Sequence, residues 1–220
     1  MSLPIHTIQE WLKLELSEDE KDVVIGSPEN AIVRPKTKNL VEASDKSFKT
    51  TFLMRLLFGV SCGEAVFPQL PICRPRRVLY VHGELASAEI KDRSRCAAKS
   101  VVSQPSPNFW QGRVLDAHLI QKDGRDKLRE LIETYEPDDV ALDPWQSFIT
   151  GSDENAYKDM SEATSFCSDL IESYGITLWI AIHLGKNHSK GARGHSLIAG
   201  WRDTNERLGG FCRCSVDERI

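Results

Sequence analysis

The sequence predicts an α/β fold in which helices cover both faces of a mostly parallel sheet. Short apolar runs alternate with helical patterns from Ala31 onward, and parallel strands need crossover connections of this length. Polar residues follow several of these runs, at the strand ends where α/β sheets place their ligand sites. The longest strongly apolar run, 176–184, is far shorter than the roughly 20 residues that cross a membrane, so no membrane partner is expected.

The composition fits one large domain whose core needs no disulfide or metal. The chain has 28 Lys and Arg against 32 Asp and Glu, which gives a net charge of −4. No overall positive field therefore indicates nucleic-acid binding, although a local basic patch stays open. The six cysteines lack the paired spacing of a metal site, and no signal peptide precedes them. These features predict a reduced, cytoplasmic setting.

Residues 1–30 are predicted to form an acidic N-terminal appendage, and residues 31–220 the α/β domain. Within the appendage, Thr7 and Glu10 fit a capping box followed by apolar residues, which indicates a short amphipathic helix. The simpler interpretation packs this helix on its own domain. The alternative is a contact with a neighbouring subunit.

Five apolar runs are predicted to be strands: 40–41, 77–82, 114–120, 139–143 and 176–183. Helical patterns lie between them at 50–62, 86–100, 125–135 and 155–174. Gly63 is expected to end the first of these helices, because glycine readily adopts the left-handed conformation of a helix C-terminus. The crossovers should be right-handed, with the strands largely parallel.

The first candidate site is the phosphate loop, A-S-D-K-S-F-K-T-T, which spans Ala43 to Thr51 between a strand and a helix. It follows the pattern G-x-x-x-x-G-K-[ST], whose amides bind phosphates while the Lys reaches the β/γ-phosphates and the hydroxyl binds Mg²⁺. Lys49 and Thr50 occupy those two positions, whereas Ala43 and Phe48 replace the glycines. An ordinary strand–turn–helix is the alternative interpretation.

Nucleotide binding is therefore predicted for Asp45, Lys46, Ser47, Phe48, Lys49, Thr50 and Thr51. Helix N-termini favour bound anions through their free amides and their dipole. Because a bulky residue rarely adopts a positive φ, we expect Phe48 either to hold a conformation that it tolerates or to be strained.

Three further candidates follow strands. Glu84 follows the strand expected beside the phosphate loop, where it would polarise an attacking water. The equal alternative is that Glu84 is a carboxylate at the N-terminus of the next helix.

Asp143 ends another strand and is predicted to hold Mg²⁺ together with Thr50, whereas Asp139 lies at the opposite edge. His183, with Lys186 after it, would contact the γ-phosphate or its attacking water; a purely structural histidine is the alternative. The basic loop 185–194 would contact a neighbour's nucleotide or a nucleic-acid backbone, or be merely solvated.

In chain order the sites read K-S-F-K-T-T, V-L-Y-V-H-G-E, V-A-L-D-P-W and I-A-I-H-L-G-K. This succession resembles the RecA-like ATPases, and most closely the RepA-type hexameric replicative helicases, over about residues 31–205. The resemblance implies a three-layer RecA-like P-loop NTPase core that uses ATP and Mg²⁺. It implies that Glu84 is catalytic, supported by Lys49 and His183, and it places Asn155 near the site.

The resemblance also implies a homo-oligomer, a hexamer in that group, which acts on single-stranded DNA. In such rings a neighbour's arginine completes each site, and Arg193, Arg202 and Arg213 are the candidates.

RecA-like cores usually continue beyond this length, so a truncated version is expected. We therefore expect a Mg²⁺-dependent ATPase in DNA replication or helicase activity. The alternative is a nucleotide-responsive binding module with little turnover, which Ala43 and Phe48 favour.

Overall fold

The computed structural model describes residues 7–11, 13, 15, 21–43, 48–102, 106–150, 157–183 and 196–207. Near the N-terminus, helix α1 (Ile8–Trp11) has the predicted capping box. The Thr7 amide donates to the Glu10 carboxylate at 2.7 Å, and the Glu10 amide donates to the Thr7 hydroxyl at 3.3 Å. This reciprocal pair of hydrogen bonds confirms the predicted helix start.

An antiparallel hairpin of β1 (Ile25–Gly26) and β2 (Ala31–Val33) precedes the main sheet. Its two strands lie on either side of the boundary predicted after residue 30. Val24 and Ile25 are fully buried and belong to the same apolar core as the first long helix. The chain thus contributes to the core of the domain from at least Val24 onward.

A six-stranded sheet forms the centre of the described structure. Its strands are β3 (Lys38–Ala43), β4 (Val78–His82), β5 (Phe109–Arg113), β6 (Asp139–Asp143), β7 (Thr177–His183) and β8 (Thr204–Arg207). Their spatial order is β5-β4-β6-β7-β3-β8, and every adjacent pair is parallel. The prediction of a largely parallel sheet is confirmed.

Helices connect these strands: α2 (Lys49–Cys62), α3 (Ser87–Ala98), α4 (Lys122–Tyr135), α5 (Trp145–Phe148), α6 (Tyr157–Tyr174) and α7 (Ser196–Trp201). Gly63 ends α2 with a left-handed φ of 73°, as predicted. None of the described helices is long and apolar enough to cross a membrane.

Two apolar cores lie on the two faces of the sheet, because successive strand residues point to opposite sides. In β4, Val78 and Tyr80 pack with α2 and α3, whereas Leu79 and Val81 pack with α4 and α6. The predicted three layers, a sheet with helices on both faces, are confirmed. Strands buried on both faces read as continuous apolar runs, which is why β4, β6 and β7 could be recognised in the sequence.

The predicted strand at 114–120 is wrong: the strand there is β5, which ends at Arg113. Residues 114–120 form a connection that places Ala117 and Leu119 in the core, and the Leu119 amide donates to the Phe148 carbonyl at 2.7 Å. Core packing thus explains its apolar character. β5 escaped recognition because it lies at the sheet edge and its residues are only partly buried.

A buried ion pair closes the amino edge of the sheet, at the start of β6. The Arg76 Nε donates to one oxygen of Asp139 at 2.5 Å, and the Trp179 indole donates to the other at 2.8 Å. Arg76 also donates to the Thr177 hydroxyl at 3.3 Å. Both carboxylate oxygens are therefore satisfied, and Asp139 has a structural position away from the phosphate loop, as expected from its place in the strand.

We predict that Asp139→Ala lowers the free energy of unfolding by about 3 kcal/mol, because it removes the nearer of the two carboxylates that pair with the buried Arg76 charge and leaves Asp22, at 3.5 Å, as the other. Urea denaturation would measure this change. The matched control is Asp92→Ala, which removes an exposed pair with Arg95 and should change stability by no more than about 0.5 kcal/mol. Equal losses in the two variants would contradict the prediction.

Candidate functional site

The candidate site residues meet at the carboxyl edge of the sheet. His82 is opposite Asp143 in the β4–β6 register, and Ala43 is opposite His183 in the β3–β7 register. Since the strands are parallel, their ends share one edge. The expectation that Glu84 follows the strand next to the phosphate loop is wrong, because β6 and β7 lie between β4 and β3. Order along the chain does not fix order across a sheet.

The phosphate loop is described at its two ends, Ala43 and residues 48–51; the predicted ligands Asp45, Lys46 and Ser47 lie outside the described residues. Phe48 precedes α2 with φ 60° and ψ 18°, in the left-handed region. Its side chain is 66% exposed. A bulky residue therefore adopts the conformation that glycine normally provides, and the strained alternative predicted for Phe48 is confirmed.

Helix α2 begins without a side-chain cap, since Phe48 makes no capping hydrogen bond. The first amides of the helix need partners other than the helix itself. Together with the helix dipole, they favour an anion at this end. The start of α2 thus has the electrostatics that phosphate binding requires.

Lys49 and His183 are in direct contact. The Lys49 side chain is buried, and its Nζ lies 3.0 Å from the His183 Nδ1. An ammonium group has only donors, so the Lys49 ammonium donates this hydrogen bond and the Nδ1 accepts it. The structure therefore brings together two of the predicted catalytic residues, in a contact that holds the lysine at the sheet edge.

Asp143 is 2% exposed, and the Tyr80 hydroxyl donates to its Oδ2 at 2.6 Å. Among the described residues, no group forms a hydrogen bond with its other oxygen, Oδ1, which is also buried. A buried carboxylate oxygen without a partner is energetically costly. A hard cation or its bound water would satisfy it, because such ions prefer oxygen ligands.

Glu84 is exposed, and the Ser147 hydroxyl donates to its Oε1 at 3.1 Å. The neighbouring Gly83 allows this approach, since an added β-carbon would lie 2.2 Å from that of Ser147. The capping role at α3, the alternative for Glu84, belongs to Glu89, whose carboxylate accepts from the Ala86 amide at 3.2 Å. The geometry therefore leaves Glu84 available at the carboxyl edge.

In a comparison with known families, residues 30–189 match the AAA domain. The chain belongs to the AAA domain family. The match covers well over half of the chain and spans all the candidate residues from the phosphate loop to His183. No curated protein matches the chain at a significant level. Family membership supports a nucleotide-binding P-loop ATPase, which agrees with the α/β fold and with the character of the phosphate loop.

Sequence reasoning missed several polar residues of this candidate site. Arg93 of α3 donates to the Thr51 hydroxyl at 3.1 Å. The Tyr80 hydroxyl donates a hydrogen bond to the Asp143 carboxylate. His82 lies on the same strand, and burial lowers its pKa. Tyr80 and His82 are embedded in an apolar strand, where sequence alone indicates only core packing. Arg93 lies in a charged helix and belongs to no motif, so no signal in the sequence distinguishes it.

Of the arginine candidates, only Arg202 lies within the described residues. Its guanidinium donates to the Glu42 carboxylate at 3.1 Å, and Glu42 is 1% exposed. Glu42 belongs to β3, one residue before the phosphate loop. Arg202 is therefore tied to the strand of its own chain that carries the loop. Asn155, Lys186, Arg193 and Arg213 lie outside the described residues.

We predict that Phe48→Gly raises the free energy of unfolding by about 0.5–1 kcal/mol. The left-handed conformation costs a non-glycine residue about 1–2 kcal/mol, of which the greater freedom of glycine in the unfolded chain cancels part. The exposed ring contributes little packing. Chemical denaturation would measure the gain. Phe48→Ala is the control, because it shortens the side chain but keeps the β-carbon; an equal gain there would exclude backbone strain as the cause.

Proposed function

We propose that this AAA-family chain binds ATP with Mg²⁺ and hydrolyses it by in-line attack of water. The observation that carries the proposal is Asp143, a buried carboxylate with one oxygen lacking a described partner, at the same sheet edge as Lys49. A phosphate-binding lysine and an oxygen ligand for a hard cation are the two components that Mg²⁺-dependent NTPases combine.

In this proposal the phosphates bind at the start of α2, to Lys49 and to the amides of 45–50. The remaining proposed nucleotide-binding residues of this loop are Asp45, Lys46, Ser47, Phe48 and Thr51. Thr50 and Asp143 hold Mg²⁺, which when bound neutralises charge that develops on the phosphoryl oxygens. Because Lys49 contacts His183 in this structure, the lysine exchanges that hydrogen bond for one to phosphate when ATP binds.

Glu84 is the proposed general base, placed to orient and deprotonate the attacking water. Its exposure fits access from the solvent side, and Ser147 fixes one of its oxygens. His183 is the proposed γ-phosphate contact. When the Lys49 ammonium moves from the His183 Nδ1 to the phosphates, the imidazole is free to bind phosphate. A protonated ring nitrogen of His183 then donates a hydrogen bond to a phosphate oxygen.

At the finer level we propose a RepA-type replicative helicase, a homo-oligomer and specifically a hexamer, that acts on single-stranded DNA. The motif order in the sequence supports this. A neighbour's arginine would complete each site. Because Arg202 is held by Glu42 within its own chain, we favour Arg193 or Arg213 for that role.

The second candidate function is a nucleotide-responsive binding module with little turnover. Strain at Phe48 favours it, since a loop already held in an unfavourable conformation can change shape when phosphate binds. The two functions share the binding site and differ in whether Glu84 supports hydrolysis.

Lys49→Ala is expected to weaken ATP binding about 30-fold or more, because loss of one partner from a buried charged hydrogen bond costs about 2–5 kcal/mol. Calorimetric titration would measure the affinity. Lys127→Ala, which removes an exposed lysine paired with Asp116, is the control and should bind as the wild type does. Unchanged affinity in Lys49→Ala would refute the phosphate-loop assignment.

Glu84→Gln is expected to retain ATP affinity and to lower kcat about 10²–10⁴-fold, the usual contribution of a general base. Steady-state phosphate release would measure kcat, with the exposed Glu130→Gln as the matched control. ATP binding without turnover in the wild type would favour the binding module. Stimulation of wild-type hydrolysis by single-stranded DNA would support the helicase proposal, and its absence would contradict it.

A further inference from the structure

A buried tyrosine and a buried aspartate form a pair behind the candidate metal site. Tyr80 lies in the middle of β4, opposite Ala141 in the β4–β6 register, and Asp143 is two residues further along the same face of β6. Residues diagonal to each other across neighbouring strands are within reach of long aromatic side chains. Tyr80 therefore extends along the sheet toward its carboxyl edge and meets Asp143 there.

The direction of their hydrogen bond is unambiguous. A carboxylate only accepts, so the Tyr80 hydroxyl donates to the Asp143 Oδ2, at 2.6 Å. Both side chains are buried, so water does not compete for this contact.

The ring that carries this hydroxyl is held in place. Its centroid lies 4.6 Å from that of His82 and 6.2 Å from that of Phe109. Tyr80 is also fully buried in the core beneath α2 and α3. A fixed ring fixes the donor, and the donor in turn fixes which oxygen of Asp143 is engaged.

We propose that Tyr80 is a positioning residue for the metal site: it holds the Oδ2 of Asp143 and thereby directs the Oδ1 toward Mg²⁺ or a water bound to it. This inference rests on the proposed function. It assigns no contact between Tyr80 and the nucleotide, so Tyr80 acts only through Asp143. Groups that orient a metal ligand typically affect metal affinity about 10–100-fold when they are removed.

The test is Tyr80→Phe, which removes one oxygen and keeps the ring. Binding of a non-hydrolysable ATP analogue is titrated by calorimetry across a series of Mg²⁺ concentrations and again in EDTA. We expect the Mg²⁺ concentration for half-maximal enhancement to rise about 10–100-fold, with the affinity in EDTA unchanged. The matched control is Tyr174→Phe, which removes a hydroxyl bonded to Glu133; it should behave as the wild type does.

Coupling to Asp143 is tested by adding Tyr80→Phe to Asp143→Ala. If Tyr80 acts only through that carboxylate, the second substitution should not change the Mg²⁺ dependence further, because the two effects are not additive. An additional loss in the double variant would overturn the proposal. Retained analogue binding in EDTA shows that each variant is folded.

The outcomes separate this inference from the function on which it rests. If the wild type binds no analogue with or without Mg²⁺, the proposed function fails and Tyr80 loses its role with it. If the wild type binds in a Mg²⁺-dependent manner and Tyr80→Phe has the same dependence, only the positioning role is refuted. An equal loss in Mg²⁺ and in EDTA would make Tyr80 a purely structural residue and would also overturn the inference.

Discussion

The parallel pairing of β3 with β7 is the constraint on which the candidate site depends. It places Ala43, where the phosphate loop begins, opposite His183, and so brings the start of α2 within reach of the end of β7. The hydrogen bond between Lys49 and His183 is a direct consequence. β6 and β4 belong to the same parallel sheet. Asp143 is the polar group at the carboxyl end of β6, and Glu84 follows the carboxyl end of β4. Burial of both sheet faces leaves the strand ends as the place where such groups are tolerated.

Much of this arrangement could be predicted from the sequence, because two simple rules apply to it. Strands that are covered on both faces appear as uninterrupted apolar runs, as in β4, β6 and β7. Parallel strands end at one edge, so a polar residue after each run identifies a shared site. The start of α2 and its end at Gly63 also followed from local chemistry. These rules use only local composition and the direction of the chain, and both are visible in a single sequence.

The remaining features depend on contacts between distant segments. Edge strands such as β5 and β8 (T-N-E-R) are less apolar, so no hydrophobic run identifies them. The order of strands across the sheet is a property of the crossovers, and for this reason Glu84 lies further from the phosphate loop than expected. Tyr80 and Arg93 are polar partners reached across the fold. Nothing in their local sequence distinguishes a tyrosine that orients a carboxylate from one that only fills the core.

The replaced glycine at Phe48 separates two requirements that the usual motif combines. Glycine supplies both a left-handed conformation and an absence of side-chain bulk. Here the backbone retains the left-handed conformation, while the aromatic ring lies largely in solvent, so only the first requirement is imposed at this position. The energetic cost of that conformation must be offset by the surrounding fold, chiefly by the buried face of α2 that begins at the next residue. The packing of α2 against the sheet therefore sets the position of Lys49.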